Sequence, residues 1–212
     1  MVDIAKPRQV GFMDPDMLGL WRSMAPLPGG LILYGGTALA LYLNHRNSTD
    51  FDFATSQACI SEAFVRSFPW LAGAKIDGGP GMVDATYRAE GREIKLTFME
   101  CGHLIPHPTR KPLLASNGVA VAHPVDLLAA KYEACLGRGA LRDYADVAAA
   151  CDTWPSLAKL AAHILPGRHP AAVGRAIASP PLKVEHHLSD KQLGSLHLFS
   201  RVLARTEKGV EW

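Results

Sequence analysis

Residues 33–55 read LYGGTALALYLNHRNSTDFDFAT, an apolar run closed by two glycines and a threonine, then a short apolar stretch, then two aspartates around one phenylalanine. Leu31-Ile32-Leu33-Tyr34 is continuous and apolar, which reads as a strand buried on both faces, and Gly35-Gly36 stops it. Thr37 is expected to cap a helix through Ala38–Leu43 that ends near Asn44, with Asn47-Ser48 as turn material. Asp50–Ala54 alternates polar and apolar, so both carboxylates fall on one face of a strand and both phenylalanines in the core.

That order of elements has a chemical consequence. Glycines after a buried strand let the backbone approach another group closely, and a helix starting there offers free N–H groups and the positive end of its dipole, an arrangement suited to a triphosphate. Carboxylates at i and i+2 on a strand project side by side, about 7 Å apart along the backbone, and can hold hard divalent cations. One cation would activate an attacking hydroxyl and a second would steady a leaving pyrophosphate. Gly-Gly alone and D-x-D alone are both common. Strand, glycine turn, helix, turn and D-x-D strand in succession put a phosphate cradle next to a metal site.

Outward from this core, Asp14–Met24 (DPDMLGLWRSM) reads as a helix, with Asp14 as N-cap, Pro15 in the first turn and Met17, Leu18, Leu20, Trp21 and Met24 as its apolar stripe. Residues 60–71 suggest a further helix, Asp77-Gly78-Gly79-Pro80-Gly81 a loop, and Met82–Arg88 with Glu93–Met99 a hairpin. Prolines 106, 108 and 112 mark an irregular connector. Beyond it, Pro124–Cys135, Asp143–Cys151 and Leu188–Arg205 read as helices, with GRHP and SPP as breaks. The chain is therefore expected to be an α/β (α+β) protein, with a mixed-sheet core over residues 1–115 and a helical C-terminal lobe over 116–212.

Composition adds bounds. With 212 residues, 48% of them hydrophobic and 20% charged, the chain has the length and the apolar content to bury a core, which excludes a wholly disordered chain. The net charge is +2, but after residue 100 Lys and Arg outnumber Asp and Glu by 13 to 9, and most histidines lie there too. A polyanionic partner would suit that half. Cys59, Cys101, Cys135 and Cys151 are widely spaced and read as reduced, mostly buried thiols. No signal-peptide pattern and no apolar run of membrane-spanning length is visible, so a soluble, cytoplasmic protein without a membrane partner is expected.

The stretch GGTALALYLNHRNSTDFDF resembles the nucleotidyltransferase superfamily of the DNA polymerase β type, and within it the AbiEii/AbiGii-like toxins, whose pattern is GG-T-A-L followed by R-x-S-x-D-h-D. HPVDLLAAKYEACLGRGALRDYADV resembles that family's second motif, a lysine on a helix followed by R/K-D-x-x-D. The resemblance implies that Gly35, Gly36 and Thr37 meet the phosphates of an NTP and that Asp50 and Asp52 bind Mg²⁺ or Mn²⁺. It further implies that Lys131 sits against the triphosphate, that Asp143 and Asp146 form the second acidic pair with Asp146 the essential one, and that Arg46 is the arginine preceding D-x-D. The implied activity is transfer of NMP from an NTP to an acceptor hydroxyl, at a tRNA 3′ end or on a protein. The implied role is the toxin of a toxin–antitoxin or abortive-infection system, with a cognate antitoxin protein as partner.

One departure stands out. Superfamily members often carry a third carboxylate on a neighbouring strand, and Glu93–Met99 carries Thr97 at the expected place. A catalytically inactive nucleotide- or partner-binding relative is therefore an alternative, as is an antibiotic-modifying nucleotidyltransferase with the same core. By residue type alone, Lys131 reads as a solvated helix residue, and Arg142-Asp143 as a cap and ion pair starting the next helix; the N-terminal motif reverses that preference. Glu100 lies off the carboxylate face by parity. His107 and His186-His187 read as surface residues, Trp70, Trp154 and Trp212 as packing residues or terminal anchors, and Tyr144 as a core phenol.

Overall fold

Strict alternation in Asp50–Thr55 (β2) buries Phe51 and Phe53 completely and leaves Asp50 and Asp52 half-buried on the other face. A computed structural model describes residues 4, 6–24, 27–90, 92–102 and 108–206. Around β2 it arranges Ile32–Tyr34 (β1), Lys75–Gly79 (β3), Met82–Ala89 (β4), Arg92–Glu100 (β5), Leu113–Leu114 (β6) and Ala120–Val121 (β7) in one mixed sheet, in the order β3-β4-β5-β2-β1-β7-β6. β2 runs antiparallel to β1 and parallel to β5, and β4 and β5 form the expected hairpin.

The sheet is two-faced because its register keeps parity across strands. Phe51, Phe53, Leu96, Phe98, Val83 and Ala85 are all fully buried. Trp21, from helix α1 (Pro15–Ser23), stacks on Phe51 at 5.9 Å, and Phe53 lies between Phe51 at 6.3 Å and Phe98 at 5.4 Å. Such offset pairs add to the area they bury. Asp14 caps α1 by accepting from the Met17 amide at 2.9 Å, as its sequence indicates, and Asn117 Nδ2 ties the helix end by donating to the Trp21 and Met24 carbonyls. Trp70 packs on Phe68 at 5.5 Å, and Glu100 accepts from the Ile60 amide, so both are structural residues.

Three local expectations are corrected. Helix α2 begins at Gly35 and runs to Leu43, so Thr37 lies inside it and caps nothing, while Asn44 closes it in the left-handed conformation. Asp77-Gly78-Gly79 is the end of edge strand β3, paired to β4, because Gly78 and Gly79 suffice for backbone pairing and the turn needs only Pro80-Gly81. Residues 60–71 divide into α3 (Glu62–Arg66) and a 3-10 turn at Pro69–Leu71, since Pro69 disfavours the helical conformation at the residue before it.

Contacts divide the chain into two compact units at Pro124. β6 and β7 pair with each other and β7 runs parallel to β1, so residues 113–121 belong to the sheet unit. The second unit is helical: α4 (Pro124–Gly137), α5 (Leu141–Thr153), α6 (Pro155–His163), α7 (Pro170–Ile177), α8 (Leu182–Glu185) and α9 (Asp190–Thr206). Tyr132 of α4 anchors it, donating to the Ala158 carbonyl of α6 at 3.0 Å and stacking on Phe199 of α9 at 5.6 Å. All four cysteines are free thiols, and no helix among the described residues is long and apolar enough to cross a membrane. His186 and His187 are exposed and Trp154 and Tyr144 buried, whereas His107, Trp212 and part of the proline-marked connector lie outside the described residues.

Replacing Phe53 by Ala should cost about 3–5 kcal/mol, the usual result of emptying an aromatic core site. Urea unfolding of the variant against the parent chain measures it.

Candidate active site

β1 runs directly into α2, and the join is made by Gly35 at φ +74°, a conformation that favours glycine. Here space demands glycine as well as backbone. A Cβ on Gly35 would lie 2.1 Å from Asp52 Oδ2, and one on Gly36 would lie 2.3 Å from Arg46 Nη2 and 3.1 Å from Ser48 Oγ. The two missing side chains are therefore replaced by a carboxylate on the first glycine and a guanidinium on the second. Tyr34 pairs with Asp52 across β1 and β2, which sets this register.

The loop between α2 and β2 is tied to the same point. Thr37, fully buried, donates its hydroxyl to the Asp50 carbonyl and shares a 2.9 Å hydrogen bond with the Ser48 hydroxyl. Arg46 Nη1 donates to the Asn47 carbonyl at 2.8 Å. No side chain caps α2 and its first turn carries no acidic residue. The sheet unit thus brings together Gly35, Gly36, Thr37, Arg46, Asp50 and Asp52. The Thr37 hydroxyl is spent on holding the loop, so of that residue only the backbone amide faces the helix start.

Hard oxygen donors on one strand face, half-buried, fit a Mg²⁺ ion that keeps water and phosphate oxygens in its remaining positions. Among the described residues no group of three or more His, Cys, Asp or Glu fits a metal. The position opposite Asp52 on β5 is Thr97, as its motif spacing suggests, and Asp50 faces Lys95. Motif reading passed over Asp84 on β4, which pairs with Thr97 and accepts its hydroxyl at 2.7 Å. The alternation of Val83, Asp84, Ala85 and Thr86 was a signal of its face, but only strand pairing reveals its row.

The helical unit holds a separate cluster. Lys131 Nζ on α4 lies 2.9 Å from Asp143 Oδ1 and 2.7 Å from Asp146 Oδ2 on α5, with side-chain exposures of 7%, 0% and 0%. The solvated-lysine reading is therefore excluded. Arg138 adds a two-pronged contact to Asp143, 2.7 Å through Nε and 2.7 Å through Nη2. Asp143 is in the first turn of α5 and Ala140 is its cap position, so the capping reading of Asp143 falls too. Burial pushes the Asp143 carboxyl up, but the hydrogen bonds from Arg138 and the charge of Lys131 outweigh it and hold the group below the usual carboxylate value.

Residues 19–169 match the family described as nucleotidyl transferase AbiEii toxin of type IV toxin–antitoxin systems. A crystal structure from H. pylori, of a protein assigned as a nucleotidyltransferase, superposes with a TM-score of 0.61 over 92% of this chain and 95% of that one at 18% identity, which shows a shared fold. No curated protein matches the chain in sequence. The family match covers both motifs and most of the chain.

Two outcomes follow from the site's geometry. Gly35→Ala should destabilise the sheet unit by about 1–3 kcal/mol, because it combines an unfavourable φ with displacement of Asp52, and calorimetry will register it. Asp143→Asn should lower stability at neutral pH. Because the folded carboxyl is more acidic than the unfolded one, its contribution is present above about pH 4 and fades as the pH falls through the folded value. The gap between parent and variant in thermal melts should therefore narrow in acid.

Proposed function

From membership of the AbiEii nucleotidyltransferase toxin family, which the match over residues 19–169 establishes, we propose a Mg²⁺-dependent enzyme, able to use Mn²⁺, that moves NMP from an NTP to an acceptor hydroxyl. The observation that carries the reading is the contact at Gly35, where a strand end, a helix start and the Asp52 carboxylate occupy one point. Asp50 and Asp52 would hold the ion, which supplies charge stabilisation at the phosphates. The amides at the start of α2, aided by its dipole, and the Arg46 guanidinium over Gly36 would receive the triphosphate oxygens.

Lys131, Asp143 and Asp146 take their roles from the family motif: Lys131 as a positive charge for the triphosphate, Asp146 as the essential acid of the pair. Their structural surroundings add a second duty. A buried lysine between two buried carboxylates joins α4 to α5, and removal of one partner of such a pair costs about 3–5 kcal/mol. Loss of activity in a Lys131 variant is therefore informative only alongside a melting curve. The acceptor we favour is RNA, with a tRNA 3′ end first, because the chain beyond residue 100 carries the basic surplus. A protein side chain is the other acceptor. In the cytoplasm the enzyme would act as a toxin restrained by a cognate antitoxin protein.

Transfer of each α-labelled NTP onto bulk tRNA, with Mg²⁺ present, tests the reading. Asp52→Asn should reduce transfer by about 10³-fold or more, given the loss of an ion-binding carboxylate, while retaining the fold. Retention of full transfer by this variant would remove the metal assignment. Nucleotide binding by the parent without transfer to any acceptor would favour the inactive, binding relative, and transfer to an aminoglycoside alone would favour the antibiotic-modifying one.

A further inference from the structure

The polar face of the sheet holds a carboxylate that the two motifs leave unused. Thr97 on β5 is the partner of Asp52, and Asp84 on β4 is the partner of Thr97, so the three share one row and one face. The Thr97 hydroxyl donates to Asp84 Oδ1 at 2.7 Å, and Lys95 Nζ lies 3.0 Å from Asp84 Oδ2. Both oxygens are held from the strand that lies between Asp84 and Asp52. The Asp84 side chain nevertheless keeps 36% of its surface. An ionised carboxylate has about four acceptor positions, so lone pairs remain for a further donor.

Spacing separates two roles for this group. Adjacent strands lie about 4.8 Å apart, which puts the Asp52 and Asp84 backbones roughly 10 Å from each other. Carboxylates that share one Mg²⁺ each approach it to about 2 Å. Asp84 stands one strand farther from Asp52 than Thr97 does, and the described residues hold no group of three or more that fits a metal. A base needs only a hydrogen bond of about 2.7 Å between the acceptor hydroxyl and one Asp84 oxygen. The carboxylate missing at position 97 has thus a substitute one strand away, aligned by the very threonine that replaces it.

We propose that Asp84 is the base that takes the acceptor's hydroxyl proton during nucleotidyl transfer, with Thr97 and Lys95 as the positioning residues that aim it. This rests on the transfer reading above. In the step, the acceptor O–H bond breaks and its proton passes to an Asp84 oxygen. The acceptor oxygen forms a bond to the α-phosphorus of the NTP, the bond from that phosphorus to the pyrophosphate oxygen breaks, and pyrophosphate departs with the electron pair. The charged groups around Asp84 are Lys95 from β5, Asp50 and Asp52 from β2 and, paired directly with it, the exposed Asp77 from β3.

The test compares the full chain with Asp84→Asn, Thr97→Val and the double variant, each confirmed folded by its melting curve. Readouts are kcat and KM for transfer of α-labelled NTP onto bulk tRNA and Mn²⁺ affinity by electron paramagnetic resonance. Asp84→Asn should lower kcat by about 10²-fold or more, the usual worth of a positioned base, and leave KM for NTP and Mn²⁺ affinity within about twofold. Thr97→Val should lower kcat by roughly tenfold with KM for NTP unchanged, and the double variant should be no slower than Asp84→Asn alone, as for residues that act as one unit. The proposal is overturned if Asp84→Asn keeps the parent kcat, or loses Mn²⁺ affinity in step with kcat, which would make Asp84 a ligand. It is also overturned if the two single losses multiply. A parent chain that transfers to no acceptor overturns the transfer reading and this inference with it, an outcome distinct from an active parent with indifferent variants.

Discussion

Everything at the proposed nucleotide end of this protein depends on a contact between an atom that is present and one that is not. Asp52 Oδ2 sits 2.1 Å from where the Cβ of any other residue at position 35 would have to be, too close for both. Glycine there serves two purposes at once, the positive φ that turns β1 into α2 and the space for a carboxylate against the backbone. Arg46 repeats the device at Gly36 with the opposite charge. A carboxylate and a guanidinium are thereby held on consecutive residues at the start of an uncapped helix, one side suited to a cation and the other to phosphate.

The loop that carries Arg46 and Ser48 is held to α2 by the buried Thr37 hydroxyl. Threonine in the GGT motif accordingly acts from inside the structure: its donation to the Asp50 carbonyl fixes the strand on which the carboxylates stand. From the sequence it looked like a helix cap. The difference arises because the helix starts three residues earlier, at Gly35, and its cap position falls on Tyr34, whose side chain makes no capping bond.

Charge in the helical unit is arranged by another logic. Asp143 and Asp146 are one helical turn apart on α5, and both would be costly to bury unpaired. Lys131 from α4 answers both and Arg138 completes Asp143, so two negative charges meet two positive ones. A cluster built this way supports the junction of α4 and α5 whatever else it does, and the family's motif spacing is explained in part by that support.

The alternation in Asp50–Thr55, the apolar run before Gly35-Gly36, the Asp14-Pro15 helix start and the helical C-terminal stretch were all legible in the chain, because each rests on local periodicity or local backbone preference. So were Asp50 and Asp52 as a pair, and Thr97 as the place where a carboxylate is lacking. Asp84 was not legible, nor was the burial of Lys131. Both depend on which residues from distant parts of the chain are brought opposite each other: strand register decides that Asp84 lies beside Thr97, and helix packing decides that Lys131 lies between two aspartates. Sequence by itself determined the elements and the residue types of the site. Only the tertiary structure decided the partners, since charge and hydrogen bonding act across space while periodicity speaks only along the chain.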